Sequence, residues 1–155
     1  MRYKRSRGFT LLELLVVLVI MGIMLGAVSL NAMQSTRQQL QTDAQRLSLL
    51  LQLAREEAIV RNRPTAFEAI QEGYRFIVFN DNHWEVITDL ETLRSRNFTF
   101  PNTKLEIVPN IDQNSEYLRV VFGREPVSRP FMLNLKVGED QVSIRADGVG
   151  HFVVE

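Results

Sequence analysis

The sequence predicts an α+β protein in which one long N-terminal helix packs on a β-rich domain of two antiparallel sheets. Three observations support this fold class. The chain is apolar without interruption over residues 14–28, and apolar residues then recur at helical spacing between residues 40 and 58. After Pro64 the period changes to short β-rich segments separated by turn residues. The expected divisions are a basic leader at 1–8, an apolar helix at 9–30 and a folded domain at 31–155.

The apolar segment from Phe9 to Leu30 has the length of a membrane span. Its about 22 residues reach roughly 33 Å as a helix, against about 30 Å of bilayer hydrocarbon. Cations just before a span hold the N-terminus in the cytoplasm, so the rest of the chain is expected to be exported. These cations are Arg2, Lys4, Arg5 and Arg7. Glu13 places a carboxylate inside the span, where a charged group is costly and usually serves a function.

Two simpler interpretations of this segment remain open. An ordinary secretory signal peptide would be cut at a small-x-small site, which Ala27-Val28-Ser29 could supply, but its apolar region is shorter, about 7 to 15 residues. A simple uncleaved membrane anchor would fit the length. Neither interpretation explains why the apolar segment contains the carboxylate of Glu13, so both are disfavoured.

The helix is expected to continue beyond the apolar segment to about Asn62. The polar stretch that follows the segment contains neither Gly nor Pro, and Pro64 then ends the helix. Starting at Phe9, such a helix would be roughly 80 Å long, with Gly22 and Gly26 as its weak points. One apolar stripe is expected to pack on the domain core rather than on a partner. Its members are Leu40, Ala44, Leu47, Leu51, Ala54 and Ala58.

Residues 65–155 are expected to form a β-rich head. A hairpin is predicted from residues 74–79 and 84–88, with a four-residue turn from Asn80 to His83. A capping-box pattern that starts at Thr88 predicts one or two helical turns over residues 89–94. Regular short strands then indicate two packed antiparallel sheets. The further predicted strands are residues 104–108, 117–122, 131–137, 141–145 and 150–154.

The charge balance argues against nucleic-acid binding. The 155 residues contain 18 Lys and Arg and 18 Asp and Glu. Loss of residues 1–8 removes four cations and leaves 14 basic against 18 acidic residues, a net charge near −4. Binding to phosphates requires clustered cations instead. Arg119, Arg124 and Arg129 could form a local patch, but solvated surface cations are the expected account.

The sequence carries no catalytic motif, so we expect no enzymatic activity, no cofactor and no metal. It has no Gly-x-Ser-x-Gly elbow, phosphate loop or zinc spacing. His83 and His151 have no ligand series around them, and His83 is expected to be solvated in a turn. Asp81 and Asn82 offer oxygens for calcium, but too few. The sequon that begins at Asn97 is attributed to chance.

The sequence Gly8-Phe9-Thr10-Leu11-Leu12-Glu13, between a basic leader and a long apolar helix, resembles the signal of type IV pilins and type II secretion pseudopilins. The resemblance implies that a prepilin peptidase cuts between Gly8 and Phe9 and methylates the new amino terminus at Phe9. It also implies that Glu13 meets the positively charged amine of a neighbouring subunit. Such a pair sets register more than it adds stability. The absence of cysteine excludes the disulfide-closed loop common in major pilins.

The segment Leu53 to Pro64 is similar to the end of the long helix in H-type minor pseudopilins of type II secretion. Residues 73–76, Trp84, residues 89–94 and residues 142–148 also look like the H-type pattern. The resemblance implies a pilin-like fold and a structural subunit at or near the tip of a short periplasmic filament, the pseudopilus. The alternative is a minor type IV pilin that binds DNA or a surface.

On the favoured interpretation, the subunit couples the tip to the major pseudopilin while folded proteins cross the outer membrane. The implied partners are other minor pseudopilins, the major pseudopilin, the prepilin peptidase and the inner-membrane assembly platform. The expected location is the inner membrane, crossed once, with a cytoplasmic N-terminus and a periplasmic head.

Overall fold

The computed structural model describes residues 11–32, 36–109, 117–125 and 128–155, with the side chains of residues 11–24 in the first range. The chain forms two compact units, residues 1–35 and 36–155. In the first unit, helix α1 spans Leu11–Ala32. Among the described residues, no helix has both the length and the apolar character needed to cross a membrane. The predicted continuation of the helix through residues 33–35 lies outside the described residues.

Helix α2 spans Thr36–Val60 and begins the second unit. Its apolar stripe is confirmed as a packing face, because all six of the predicted side chains are 0% exposed. Leu50 is buried beside the stripe, whereas Leu49 faces solvent at 67% exposure. The helix therefore packs on the head through the predicted residues.

The end of α2 is a Schellman motif. The N–H of Arg63 donates to the carbonyl of Ala58 at 3.1 Å, and the N–H of Asn62 donates to that of Ile59 at 3.2 Å. Asn62 takes the left-handed conformation that this motif requires, with φ of 54°. Pro64 then leads directly into the first strand. The helix thus ends where the sequence predicted, within two residues.

The described part of the second unit contains nine strands in two antiparallel sheets. They are β1 Thr65–Ile70, β2 Gly73–Asn80, β3 His83–Val86, β4 Arg96–Asn97, β5 Lys104–Val108, β6 Arg119–Phe122, β7 Phe131–Val137, β8 Asp140–Ala146 and β9 Phe152–Val154. The first sheet has the order β3-β2-β1-β6, and β4 pairs with the beginning of β2. The second sheet has the order β5-β7-β8-β9. The predicted α+β architecture with two antiparallel sheets is confirmed.

The core lies between α2 and the inner faces of both sheets. The first sheet contributes the aromatic residues Phe67, Tyr74 and Phe76, whose ring centroids are 5.8 to 6.0 Å apart. The second sheet contributes aliphatic side chains, among them the fully buried Leu133 and Leu135. Helix α2 contacts strands of both sheets, including β9, the last strand of the unit.

Two details of the predicted loops were wrong. Asn80 pairs with His83, so the hairpin turn has two residues, Asp81 and Asn82, instead of four. Both have positive φ, 43° and 68°, as a tight turn that follows the strand twist requires. The predicted capping box is also wrong. The region forms one turn of 3-10 helix, Glu91–Leu93, in which no side chain caps the helix start among the described residues.

Strands β1 and β4 were not predicted. The alternation of β1 is hidden, because Ala66 and Glu68 on its outer side are buried as well as Phe67 on its inner side. Strand β4 has only two residues and crosses close to Gly73. A Cβ atom on Gly73 would lie 2.0 Å from the carbonyl oxygen of Arg96, so this pairing needs glycine.

Candidate functional site

The N-terminal residues predicted to act in processing and assembly are partly described. Gly8 and Phe9 lie outside the described residues. Glu13 lies in the first turn of α1, where the helix dipole favours a negative charge. From Leu11 to Met24, every large apolar side chain of α1 is at least 43% exposed. Large exposed apolar surfaces of this kind often mark sites of contact with proteins or membranes.

Both histidines are exposed, as predicted for His83, and each lies next to a carboxylate. The Nε2 atom of His83 lies 2.6 Å from Glu85, and the Nδ1 atom of His151 lies 2.6 Å from Asp147. The hydrogen bond from His151 lowers the pKa of Asp147 below its ordinary value. Among the described residues, Asp81 included, no cluster of three or more His, Cys, Asp or Glu is placed to hold a metal ion.

The sequon-like segment Asn97-Phe98-Thr99 has structural contacts. Phe98 is buried against Tyr74, with ring centroids 5.2 Å apart. Thr99 hydrogen-bonds to Asp43 of α2. The segment therefore joins the end of β4 to the core and the helix.

The interpretation of Arg119 as a solvated surface cation is wrong. Arg119 donates to the carboxylate of Glu68 at 2.5 Å, and Arg75 donates to the other oxygen of that carboxylate at 2.6 Å. We call Glu68, Arg75 and Arg119 the Glu68 cluster. Arg124 and Arg129, the other two cations of the suggested patch, are exposed. The solvated state expected for Arg119 is therefore replaced by a salt bridge to a buried carboxylate that a second arginine shares.

The register of the first sheet explains the Glu68 cluster. Glu68 of β1 lies opposite Arg75 of β2 on one side and opposite Arg119 of β6 on the other. Opposite charges in such cross-strand pairs stabilise a sheet. Burial raises the pKa of Glu68, but the hydrogen bonds from Arg119 and Arg75 outweigh burial, so its pKa lies below the ordinary value. The carboxylate is therefore ionised at neutral pH.

The Glu68 cluster lies on the outer face of the first sheet, which points away from α2. Side chains alternate between the two faces of a strand, so the pairing register defines the residues of this face. They are Ala66, Glu68, Ile70, Gly73, Arg75, Ile77, Phe79, Trp84, Val86, Asn97, Arg119 and Val121. The guanidinium carbon of Arg119 lies 5.3 Å from the centre of the Trp84 ring, which packs against Phe79 at 5.2 Å. Sequence reasoning found Trp84 only as part of a family pattern and missed Glu68.

Comparison with known proteins gives two family matches. The model of the prokaryotic N-terminal methylation motif matches residues 3–29. The model of the family described as type II transport protein GspH matches residues 43–150. The first match lies on the apolar segment, and the second includes most of α2 and the β-rich head.

Similar proteins include the type II secretion system proteins H of Pseudomonas aeruginosa and Aeromonas hydrophila. The first is 34% identical over 79 residues, which cover 50% of this chain and 46% of that protein. The second is 34% identical over 92 residues, which cover 57% of this chain and 50% of that protein. The chain thus aligns with about half the length of these relatives.

The fold resembles that of the minor pseudopilin EpsH from the type 2 secretion system of Vibrio cholerae. Two solved structures of EpsH each match with a TM-score of 0.57, at 15% and 14% sequence identity. The matches cover 74% and 77% of this chain, and 94% and 95% of the EpsH chains. At this identity the likeness concerns the fold alone. Because the family model covers residues 43–150, well over half of the sequence, the chain belongs to the type II transport protein GspH family.

Proposed function

We infer that this chain is a minor pseudopilin of a type II secretion system, a structural subunit of the pseudopilus. One observation carries the proposal: the same chain matches the N-terminal methylation motif over residues 3–29 and the GspH family over residues 43–150. In this role the subunit sits at or near the tip of the filament. It couples the tip subunits to the major pseudopilin while folded proteins are exported across the outer membrane.

The N-terminal segment would serve first as an anchor and later as filament core. Before assembly, residues 9–30 hold the chain in the inner membrane, with the leader in the cytoplasm and the head in the periplasm. Cleavage between Gly8 and Phe9 creates a free amine on Phe9. After assembly, Glu13 pairs with such an amine on a neighbouring subunit. The exposed apolar side chains of α1 support this proposal, since they need lipid in one state and protein in the other.

The expected partners follow from this role. Other minor pseudopilins and the major pseudopilin pack around the subunit, the prepilin peptidase processes it, and the inner-membrane platform adds it to the filament. Membership of a family of transport subunits supports a structural role rather than an enzymatic one.

Deletion of the gene tests the proposal. We expect the deletion strain to retain exported proteins in the periplasm while twitching motility and DNA uptake stay normal, and the full-length gene should restore export. A strain that secretes normally but loses twitching or transformation would instead assign the chain to the minor type IV pilins. Loss of all three activities would point to a shared assembly defect and would contradict a role confined to secretion.

A further inference from the structure

Two apolar residues on the outer face of the first sheet are buried without belonging to the central core. Ala66 is 0% exposed and Ile77 is 3% exposed, and neither is part of the cluster that surrounds α2. Trp84 and Arg119 explain this burial. They lie on β3 and β6, three strand spacings apart across the sheet and four residues apart along it, and the Arg119 guanidinium carbon reaches to 5.3 Å from the centre of the Trp84 ring. The pair therefore reaches across β2 and β1 and covers the two residues beneath.

The contact between Trp84 and Arg119 is bordered by further exposed apolar side chains. Val86 and Val121 flank it at 41% and 44% exposure. The Nε atom of Arg119 is buried and has no hydrogen-bond partner among the described residues. Tryptophan and arginine are the residue types most enriched among the side chains that dominate protein–protein binding, especially where apolar neighbours exclude water. The outer face thus has the composition of a binding surface.

The charge of the face indicates the partner. Among the described strand residues that form it, the ionisable ones are Glu68, Arg75 and Arg119. The Glu68 side chain is only 2% exposed, whereas those of Arg75 and Arg119 are 35% and 19% exposed. Of these described strand residues, a protein that approaches the face therefore meets two guanidinium groups and no accessible carboxylate. Arginine forks bind carboxylates strongly, so a complementary partner is acidic.

We propose that the outer face of the first sheet binds a segment of another protein that carries carboxylates next to apolar side chains. The carboxylates pair with Arg75 and Arg119, and the apolar side chains cover Trp84, Val86 and Val121. The binding experiments below do not measure secretion. The binding proposal can therefore hold even if the deletion strain secretes proteins normally.

Trp84 makes the site directly measurable, because it is the single tryptophan of the chain. We would titrate the full-length chain in neutral detergent micelles with a short peptide of glutamate and leucine, and follow tryptophan fluorescence. The reference peptide has lysine in place of every glutamate. We expect a saturable change with the acidic peptide that weakens with salt, and none with the basic peptide. Equal responses to both peptides, or no response to either, would overturn the proposal.

Two substitutions at Val121 distinguish the effect of charge on peptide binding from the effect of lost apolar contact. Val121→Glu and Val121→Lys replace the same partly exposed side chain on an edge strand, and differ mainly in sign. Both variants lose the same apolar contact, so we expect both to bind the acidic peptide less tightly, and Val121→Glu to bind it about tenfold more weakly than Val121→Lys because only the glutamate repels the peptide. Val153→Glu, at a similarly exposed position in the second sheet, is the matched control. Equal loss in both Val121 variants, or in the control, would contradict a charge-selective site.

Crosslinking in cells identifies the natural occupant. A photoreactive benzoylphenylalanine at Val86 should crosslink to another protein, at a peptide rich in Asp or Glu, and the yield should fall in the Val121→Glu background. Mass spectrometry of the crosslinked peptide decides the outcome. A peptide from a second copy of this chain, a peptide without acidic residues, or no crosslink would each overturn the proposal.

Discussion

Thr99 donates two hydrogen bonds to the carboxylate of Asp43, one from its backbone N–H at 2.8 Å and one from its hydroxyl at 3.0 Å. Asp43 lies on α2 and is only 5% exposed, whereas Thr99 follows β4 in the first sheet. The pair is a polar contact between α2 and the segment that follows β4. A buried carboxylate held by two donors is a costly group to disturb.

Asp43→Ala should therefore lower the free energy of unfolding by about 2 to 3 kcal/mol, because it leaves both donors of Thr99 without their acceptor. Thr99→Val removes the hydroxyl alone and should cost about 1 kcal/mol. Urea unfolding followed by circular dichroism measures both. Gln41→Ala, at an exposed position of the same helix, is the control and should stay within about 0.5 kcal/mol. An Asp43→Ala loss as small as that of the control would contradict a structural role for the pair.

Leu51→Asp should unfold the head, whereas Leu49→Asp should not. The two leucines lie two positions apart on α2, but Leu51 is 0% exposed and Leu49 is 67% exposed. Even Leu→Ala in a core costs about 2 to 5 kcal/mol, and a buried unpaired charge costs more. A truncated chain that begins near Gln34 should be soluble, monomeric and folded, and its thermal unfolding compares the variants. A Leu51→Asp head as stable as its parent would show that the stripe is a partner surface.

The stability of the head should decrease in acid through Glu68. Its pKa in the folded state lies below the ordinary value of 4.5, so ionised Glu68 stabilises the fold above that pH. The contribution is lost as the pH falls through the lowered pKa. Glu68→Gln should flatten this part of the pH profile and cost about 3 kcal/mol or more at neutral pH.

Glu106→Gln is the matched control for Glu68→Gln. Glu106 also pairs with a cation, Lys136, at 2.6 Å, but both side chains are exposed. Exposed pairs contribute about 1 kcal/mol at most, so the control should keep nearly the parent's stability and pH profile. Unfolding free energies measured across the acid range decide the point. Equal effects of the two substitutions would mean that burial of Glu68 adds nothing.

The mature chain should begin at Phe9 and carry a methylated amino terminus. The reason is the position of Gly8 before Phe9, next to the basic leader and ahead of the apolar segment. Intact-mass measurement of the membrane-extracted protein, with and without an active prepilin peptidase, tests this expectation. A working species that begins near Leu30, or one that keeps Met1, would rule out the proposed processing.

Glu13→Leu should leave membrane insertion intact and impair entry into the filament. The substitution makes the apolar segment more hydrophobic, but it removes the carboxylate that pairs with the amine of a neighbour. Crosslinking to other pseudopilins should fall while the amount in the inner membrane stays constant. Glu91→Leu, the same substitution at an exposed position of the head, should change neither quantity. Unchanged crosslinking in Glu13→Leu would show that the carboxylate does not set register.

The sequence pattern predicted those helices and strands that have one apolar face and one polar face. The stripe of α2 and strands β5 and β7 were found with their observed residues, because apolar and polar side chains alternate there at the period of a helix or a strand. Strand β1 was not predicted, because side chains on both of its faces are buried and its sequence does not alternate between apolar and polar residues. One helical turn forms as predicted, but the capping box failed because the turn begins at Glu91, which puts Leu90 instead of Thr88 at the capping position.

The Glu68 cluster could not be predicted, because it depends on the register of three strands. Arg119 is 51 positions from Glu68, and nothing in the local sequence brings them together. Arg75 is only seven positions from Glu68. Predicting their salt bridge would still have required recognising β1 as the strand that pairs with β2. Cross-strand contacts of this kind appear only when pairing and face are both fixed. The same holds for the contact between Trp84 and Arg119.

The contact between α2 and β9 constrains the order in which the head can fold. These elements come from opposite ends of the second unit, so the part of the helix that contacts β9 stays uncovered until this strand has been synthesised. Native structure dominated by such distant contacts forms slowly, because a long loop must close before the contact is gained. If the head is exported as proposed, it crosses the membrane as an unfolded chain with an apolar helix face in need of protection. Removal of β9 should then trap the head in an aggregation-prone state rather than a merely weakened one.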